Sequence, residues 1–187
     1  MDFTWTPHRF VGGALALDVA NSVILRIDPS RRIDRFASPQ QMDAFPEAAG
    51  EFSAERALFG EVTPVAAERR ADFLVLREAI DRYFRARADG EDDPHKLADL
   101  LGAAAVALRG TGTGSLEAAT ARSALRLLVD DQISRLKTCG NCGWLFIDRS
   151  RNRSRSWCDM TVCGNRVKAN RHYRRSRGGG PSAGDAT

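Results

Sequence analysis

The chain has four cysteines, Cys139, Cys142, Cys158 and Cys163, spaced C-x2-C-x15-C-x4-C. Two close thiol pairs separated by a short excursion supply the four soft ligands of a tetrahedral structural zinc site, in which Zn–S is ~2.3 Å. The first pair lies in Cys139-Gly140-Asn141-Cys142-Gly143, where the glycines permit the tight turn that aims both sulfurs at one ion. A disulfide framework is the competing reading. The start Met1-Asp2-Phe3-Thr4-Trp5 lacks the basic region and apolar run of a secretory signal, so a reducing cytoplasm is expected, where disulfides rarely persist. Four thiolates on one zinc leave no open position for an activated water, so the expected metal is a single structural Zn2+ and no catalytic centre.

Charge follows the cysteines. Between Cys139 and Arg177 stand ten Lys or Arg and two acids, Asp148 and Asp159, a net +8, whereas residues 1–138 hold 18 basic and 21 acidic residues, a net −3. A mildly acidic body carrying a strongly basic module is the electrostatic footprint of a nucleic-acid binder, because phosphates reward clustered cations through counterion release. Arg149, Arg151, Arg153 and Arg155 recur at a spacing of two, which in an extended segment places four guanidiniums on one face. From about Cys163 the chain reads as a helix of about 14 residues, roughly 21 Å long, enough to lie in a major groove ~12 Å wide. Lys168, Arg171, Arg174 and Arg175 cover its exposed surface. These basic residues are expected to contact phosphates, which position without reading sequence. Asn165 and Arg166, near the helix start, either read base edges or brace the knuckle.

The elements that position this module are predominantly helical. An apolar helix is expected over 15–23, and Phe10-Val11-Gly12-Gly13 suits a short strand and turn. Ser38-Pro39 reads as an N-cap with Pro at the first helical position, opening a helix towards Ala48. Thr63-Pro64 repeats that signal before Phe73, Leu76, Ile80 and Phe84 at helical spacing, predicting a helix to about Ala88. Asp93-Pro94 opens another that stops at Gly110, and Ser115 caps a last one whose Leu125, Leu128, Val129, Ile133 and Leu136 face inward almost to Cys139. The fold expected is therefore mainly α: a helical N-terminal domain over 1–136, a small treble-clef-like zinc finger over 137–177, and a disordered tail over 178–187. A module near 40 residues cannot easily build a core, so zinc contributes its folding energy.

Enzymatic signals are weak. Gly110-Thr111-Gly112-Thr113-Gly114-Ser115 lacks the lysine of a phosphate loop and follows a helix, and His8, His95 and His172 are scattered. The apolar run from Phe10 to Leu25 is too short for a bilayer of ~30 Å and carries Asp18 and Asn21, so no membrane partner is expected. Asp18 and Asn21, three residues apart, share a helix face where they either hold a ligand's polar groups or cap and cross-link neighbouring backbone.

Cys163-Gly164-Asn165-Arg166 resembles the signature for which the CGNR zinc finger family is named, and Trp144-Leu145-Phe146-Ile147-Asp148-Arg149-Ser150-Arg151-Asn152 is similar to the stretch between that family's ligand pairs. At the other end, Leu15-Ala16-Leu17-Asp18-Val19-Ala20-Asn21-Ser22 is similar to the L-x-L-D-x-x-N-T opening of the ABATE domain, with Ser in place of Thr. The middle, 30–135, matches by helical character alone. The resemblance implies a bacterial, zinc-dependent DNA-binding transcription regulator whose N-terminal domain senses a small-molecule effector; a homodimer is expected separately, because one small reading head rarely provides enough specificity. An RNA- or ribosome-binding zinc protein, with Trp144, Trp157 and Tyr173 as stacking candidates, and a protein-interaction finger are the alternatives.

Overall fold

The computed structural model describes residues 3–169 and residue 173. Its first helix, α1 (Leu15–Ala20), is buried along its whole length. A two-stranded antiparallel hairpin follows, β1 (Val23–Ile24) with β2 (Ile33–Asp34), in the register Val23↔Asp34 and Ile24↔Ile33. Short helices α2 (Pro39–Asp43), α3 (Phe45–Phe52) and α4 (Arg56–Phe59) lead to three long ones, α5 (Arg70–Ala88), α6 (Pro94–Arg109) and α7 (Leu116–Val129). The chain closes with the antiparallel pair β3 (Leu136–Thr138) and β4 (Leu145–Ile147) and a π-helical turn, Met160–Gly164, continued by α-helical backbone over 165–169. The mainly helical fold expected from the sequence is the one observed.

Helix starts follow the capping residues. Ser38 accepts from Gln41 N, Asp93 from His95 N and Lys96 N, and Ser115 from Ala118 N, each satisfying a first-turn N–H that the helix itself cannot. α5 is the central element: Phe73, Leu76, Ile80 and Phe84 are all buried, and the helix packs on α1, α6, α7 and β3. An aromatic cluster of Trp5, Phe10, Phe36 and Phe45 fills the space beside α2 and α3, with Phe10–Phe45 and Phe36–Phe45 centroids both 5.2 Å apart.

Four expectations about element boundaries need correction. The helix anticipated from Ser38 to Ala48 is two helices, because Pro46, in the first turn of the second, has no N–H to continue the first helix's hydrogen-bond ladder. Thr63-Pro64 caps nothing: Thr63 N donates to Gly114 O at 2.8 Å and its carbonyl accepts from Leu116 N at 3.0 Å, a parallel bridge that ties this loop to the start of α7, and α5 begins only at Arg70. α7 ends at Val129, which is 84% exposed; Asp130 then turns the chain by accepting from Gln132 N, and Leu136 reaches the core on a strand rather than on the helix. Phe10–Gly13 is not a strand but follows a 3-10 turn, Pro7–Arg9.

Gly12 is required where the chain passes α1. A Cβ there would stand 2.8 Å from Leu17 Cβ and 2.9 Å from Asp18 Oδ1, because Gly12 N donates to that carboxylate. Its neighbour Gly13 has φ +88, a Cβ there would stand 3.3 Å from Ile147 Cβ, and Gly12 O accepts from Ile147 N, so the same two residues seat β4 against the body.

Candidate metal centre and nucleic-acid interface

The ligand-bearing segment is built on β3 and β4. Cys139 and Cys142 lie in the turn between these strands, where Gly143 N donates to Cys139 O at 2.9 Å and Cys139 N to Trp144 O at 2.8 Å. Gly143 adopts φ +75, the left-handed conformation that closes the knuckle at no steric cost. Cys158 comes in beneath the turn, held by Gly140 N donating to Ser156 O, and Cys163 is carried on the π-helical turn. Asp159 caps that turn by accepting from Thr161 N and Val162 N.

All four cysteines are buried, and their sulfurs lie within 4.8 Å of one another. Cys142 Sγ is 3.6 Å from Cys158 Sγ, which is 3.7 Å from Cys163 Sγ. A tetrahedron with ~2.3 Å Zn–S bonds puts its sulfurs about 3.8 Å apart, so these thiols fit one zinc ion with little rearrangement. Without a cation the crowded thiols resist ionising together. Hydrogen bonds with Cys139 and Cys142, together with burial, push the Cys158 thiol far above its ordinary range, while contacts with Cys142 and Cys158 drive Cys139 below it. Four thiolates share so small a volume only with a cation at their centre.

Buried carboxylates hold the finger together. Asp148 has no exposed side-chain surface and accepts from Lys137 Nζ at 2.8 Å, Arg155 N at 2.9 Å and Ser150 N at 3.0 Å. Burial alone would raise its pKa, but Lys137, Ser150 and Arg155 outweigh that and hold it well below the usual carboxylate range. Asp159 pairs with His8 Nδ1 at 2.9 Å, and although burial opposes it, Thr161 and His8 bring its carboxyl down to about 2. His8 in turn lies over Trp144, 5.5 Å between centroids, and Trp144 Nε1 donates to Val23 O. The N-terminal 3-10 turn therefore clasps the finger. Asp148, Asp159 and Lys137 were missed as site residues from sequence. The available signal was that Asp148 and Asp159 are the two acids in an otherwise basic module, which marks them as internal ion-pair partners rather than surface charge.

The helical body grips the finger at two places. Asn21, the C-cap of α1, pairs with Leu145 through both ends of its carboxamide: Nδ2 donates to Leu145 O at 2.8 Å and Oδ1 accepts from Leu145 N at 2.9 Å. Further along, ion pairs step from Asp34 to Arg77, Glu78, Arg26, Asp81 and Arg85, and Arg85 ends the series by donating to Gly143 O at 2.9 Å in the knuckle turn. Asp18 is wholly buried, accepting from Gly12 N and Ser53 Oγ; burial first, then the nearby Glu55, push its pKa up to about 8. The polar atoms of Asp18, in α1, and of Asn21, its C-cap, are thus engaged by the chain's own groups.

The basic residues separate into two sets. The segment after β4 is a turn rather than an extended strand, so the four arginines do not share one face. The cause is the buried Asp148: it draws Ser150 N and Arg155 N towards itself and folds the chain back, with Arg153 at φ +49. Arg149 reaches back to Gly13 O at 2.9 Å, and Arg155 donates to Trp157 O and Cys158 O while lying 5.3 Å over Phe146. Arg151 and Arg153 keep exposed side chains, as do Arg166 and Lys168. Asn165 Nδ2 donates to Thr161 O, bracing the turn that carries Cys163. Arg171, Arg174 and Arg175, and the tail over 178–187, lie outside the described residues. A third cationic group was not anticipated: Arg9, on the N-terminal turn, has its pKa lowered by burial and by the neighbouring Arg35 and Arg166.

A helical body bearing a closed four-cysteine zinc knuckle with basic flanks has the build of a zinc-finger regulatory protein. The comparison with protein families is specific: the model for ABATE, described as a putative stress-induced transcription regulator, matches residues 13–133, and that for the CGNR zinc finger matches residues 135–176. The chain belongs to the ABATE family and carries a CGNR zinc finger. No curated protein matches it. Among the described residues no helix is long and apolar enough to cross a membrane.

Proposed function

We propose that this protein is a DNA-binding transcription regulator in which the zinc finger grips duplex phosphates and the helical body, residues 1–136, supplies an effector-sensing or dimerising function. The observation that carries the reading is the juxtaposition of a structural zinc site with exposed Arg151, Arg153, Arg166 and Lys168 on a module of net +8. Zinc fixes the backbone, so these cations present to a polyanion without first being ordered, which is the entropic advantage of preorganisation. Arg171, Arg174 and Arg175 extend the same basic run in sequence. Arg149 and Arg155 contribute charge to the field, but their guanidiniums serve the finger's own backbone. With four cysteine ligands the metal keeps no position for a reacting water, which argues for a binding protein and against an enzyme. Trp144, 3% exposed with its indole N–H spent on Val23 O, is not disposed to stack a base, which weighs against an RNA platform.

The test is zinc content by elemental analysis with binding of the same sample to duplex DNA and to RNA across a salt series. One zinc per chain, DNA preferred and affinity falling steeply with salt are the expected results. RNA preference, or no nucleic-acid affinity at 50 mM salt or thereabouts, would retain the finger and discard the regulator.

A further inference from the structure

The body and the finger meet along a seam that holds, besides the His8–Asp159 pair, guanidiniums without an ion-pair partner. In the helical body Arg26, Arg77 and Arg85 each pair with Asp or Glu. At the seam, among the described residues, Arg9, Arg35 and Arg166 have no ion-pair partner. Arg9 instead lies 5.6 Å over both Phe3 and Trp144, and Arg35 lies 4.1 Å over Phe3, so two arginines share one aromatic ring. Nε of Arg35 is buried and has no acceptor. A cavity of ≈ 380 Å³ opens between the β1–β2 hairpin and the finger helix, lined by Arg31 and Arg166 of the basic residues, with Asn141 and the zinc ligand Cys142. Arg31 makes a single long contact, 3.8 Å, to Asp28.

Like charges held together at partial burial raise the energy of the isolated protein, and the aromatic faces and the Cys142 thiolate near Arg9 offset part of that cost. A bound oxyanion offsets the rest, and the planar fork of Arg is the side chain best matched to phosphate oxygens. We propose that Arg9, Arg31, Arg35 and Arg166 form a second phosphate-binding site, on the seam between body and finger, which takes a backbone phosphodiester of the same nucleic acid that the finger holds. The inference rests on the nucleic-acid reading above and adds to it that the helical body is part of the grip. Nothing in the finger's sequence reports this, since three of the four arginines come from the first 35 residues of the chain.

The experiment measures the full-length zinc protein on duplex DNA, plotting log affinity against log salt for the parent, Arg31→Gln, Arg9→Gln and Arg109→Gln. Arg109, exposed at the end of α6, removes the same charge from a helix that packs on α5 and α7. Melting temperature and zinc content are read on every variant. Arg31 is exposed, so Arg31→Gln decides the outcome should Arg9→Gln lose its fold. The expected result is a slope shallower by about 0.9 for each seam arginine removed, on all sequences alike, with Arg109→Gln matching the parent. Seam variants whose slopes match Arg109→Gln, on a parent that binds, overturn the seam site and leave the finger reading standing. A parent with no salt-dependent binding overturns the reading beneath it, and the seam site with it.

Discussion

Asn21→Ala tests how the zinc finger is attached to the body. Asn21 is 3% exposed, and its carboxamide satisfies both the N–H and the C=O of Leu145, the first residue of β4 and the third after the second zinc ligand. Alanine leaves two buried backbone groups without partners. Each costs about 1–3 kcal/mol, so the substitution should cost about 2–6 kcal/mol against a total stability of about 5–15 kcal/mol. A loss of about 3 kcal/mol in a chain of this length lowers Tm by about 6–12 °C. The same change should speed zinc transfer to a colorimetric chelator, because β4 leaves the knuckle and Cys139 N is bonded to Trp144 O next to it. Asn21→Asp should do no better at neutral pH, since a carboxylate keeps the acceptor for Leu145 N but faces Leu145 O with negative charge. A loss below about 0.5 kcal/mol, with zinc transfer unchanged, would refute the claim that this side chain joins body and finger.

Other outcomes follow from the same contacts. Cys142→Ser should abolish stoichiometric zinc by elemental analysis and unfold the knuckle, since structural zinc contributes about 10–16 kcal/mol in small fingers. Asp18, raised to about 8 from 3.8, binds its proton more tightly folded than unfolded, so its stabilisation is complete below about pH 4 and is lost as pH rises through about 8. Asp18→Asn should flatten that decline in urea titrations between pH 5 and 8 while keeping the acceptor for Gly12 N; a parallel decline in both proteins would show that another group titrates. Gly12→Ala forces a methyl to within 3 Å of Leu17 and Asp18 and should cost about 1–3 kcal/mol by chemical denaturation. Lys137→Ala removes the only cation paired with the buried Asp148 carboxylate among the described residues, leaving it the Ser150 and Arg155 N–H donors, and should cost about 3–5 kcal/mol by the same measure.

What was legible in the sequence was whatever short-range chemistry decides. Cysteine spacing located the metal centre because ligand geometry is a local constraint, and Ser38, Asp93 and Ser115 marked helix starts because a cap needs only a neighbour three residues on. Thr63-Pro64 carried the same signal and failed, because a partner about fifty residues away, Gly114, took the backbone that a cap would have used. The π-helical turn at Met160–Gly164 had no periodic signature, being set by Asp159 and by the need to bring Cys163 to the other sulfurs. The arginines at 149–155 misled for a related reason: their spacing of two has meaning only in an extended chain, and the buried Asp148 turns this one. The seam of Arg9, Arg35 and Arg166 was invisible because its members are separated by up to 157 positions.

The attachment of the finger bears on how a signal in the body would reach it. Leu136, Leu145 and Ile147 belong to the same apolar core as α1, α5 and α7, while Trp144, Phe146 and the cysteines form a second core on the other side of the same two strands. β3 and β4 are therefore one wall shared by both cores, and a shift of α1 or α5 cannot leave the knuckle untouched. The ion-pair series along α5 ends on Gly143 O, in the turn whose geometry sets the first two ligands, and gives a second route that is polar rather than apolar. Conversely, losing zinc removes the reason for Cys139 and Cys142 to stay inward, which loosens one face of a wall the body needs. Zinc binding and the stability of the helices are then linked quantities, and saturating zinc should raise the melting temperature read from helical signal and not merely that of the finger. A helical transition that does not move when zinc is removed by chelation would show the two cores to be energetically separate despite the strands they share.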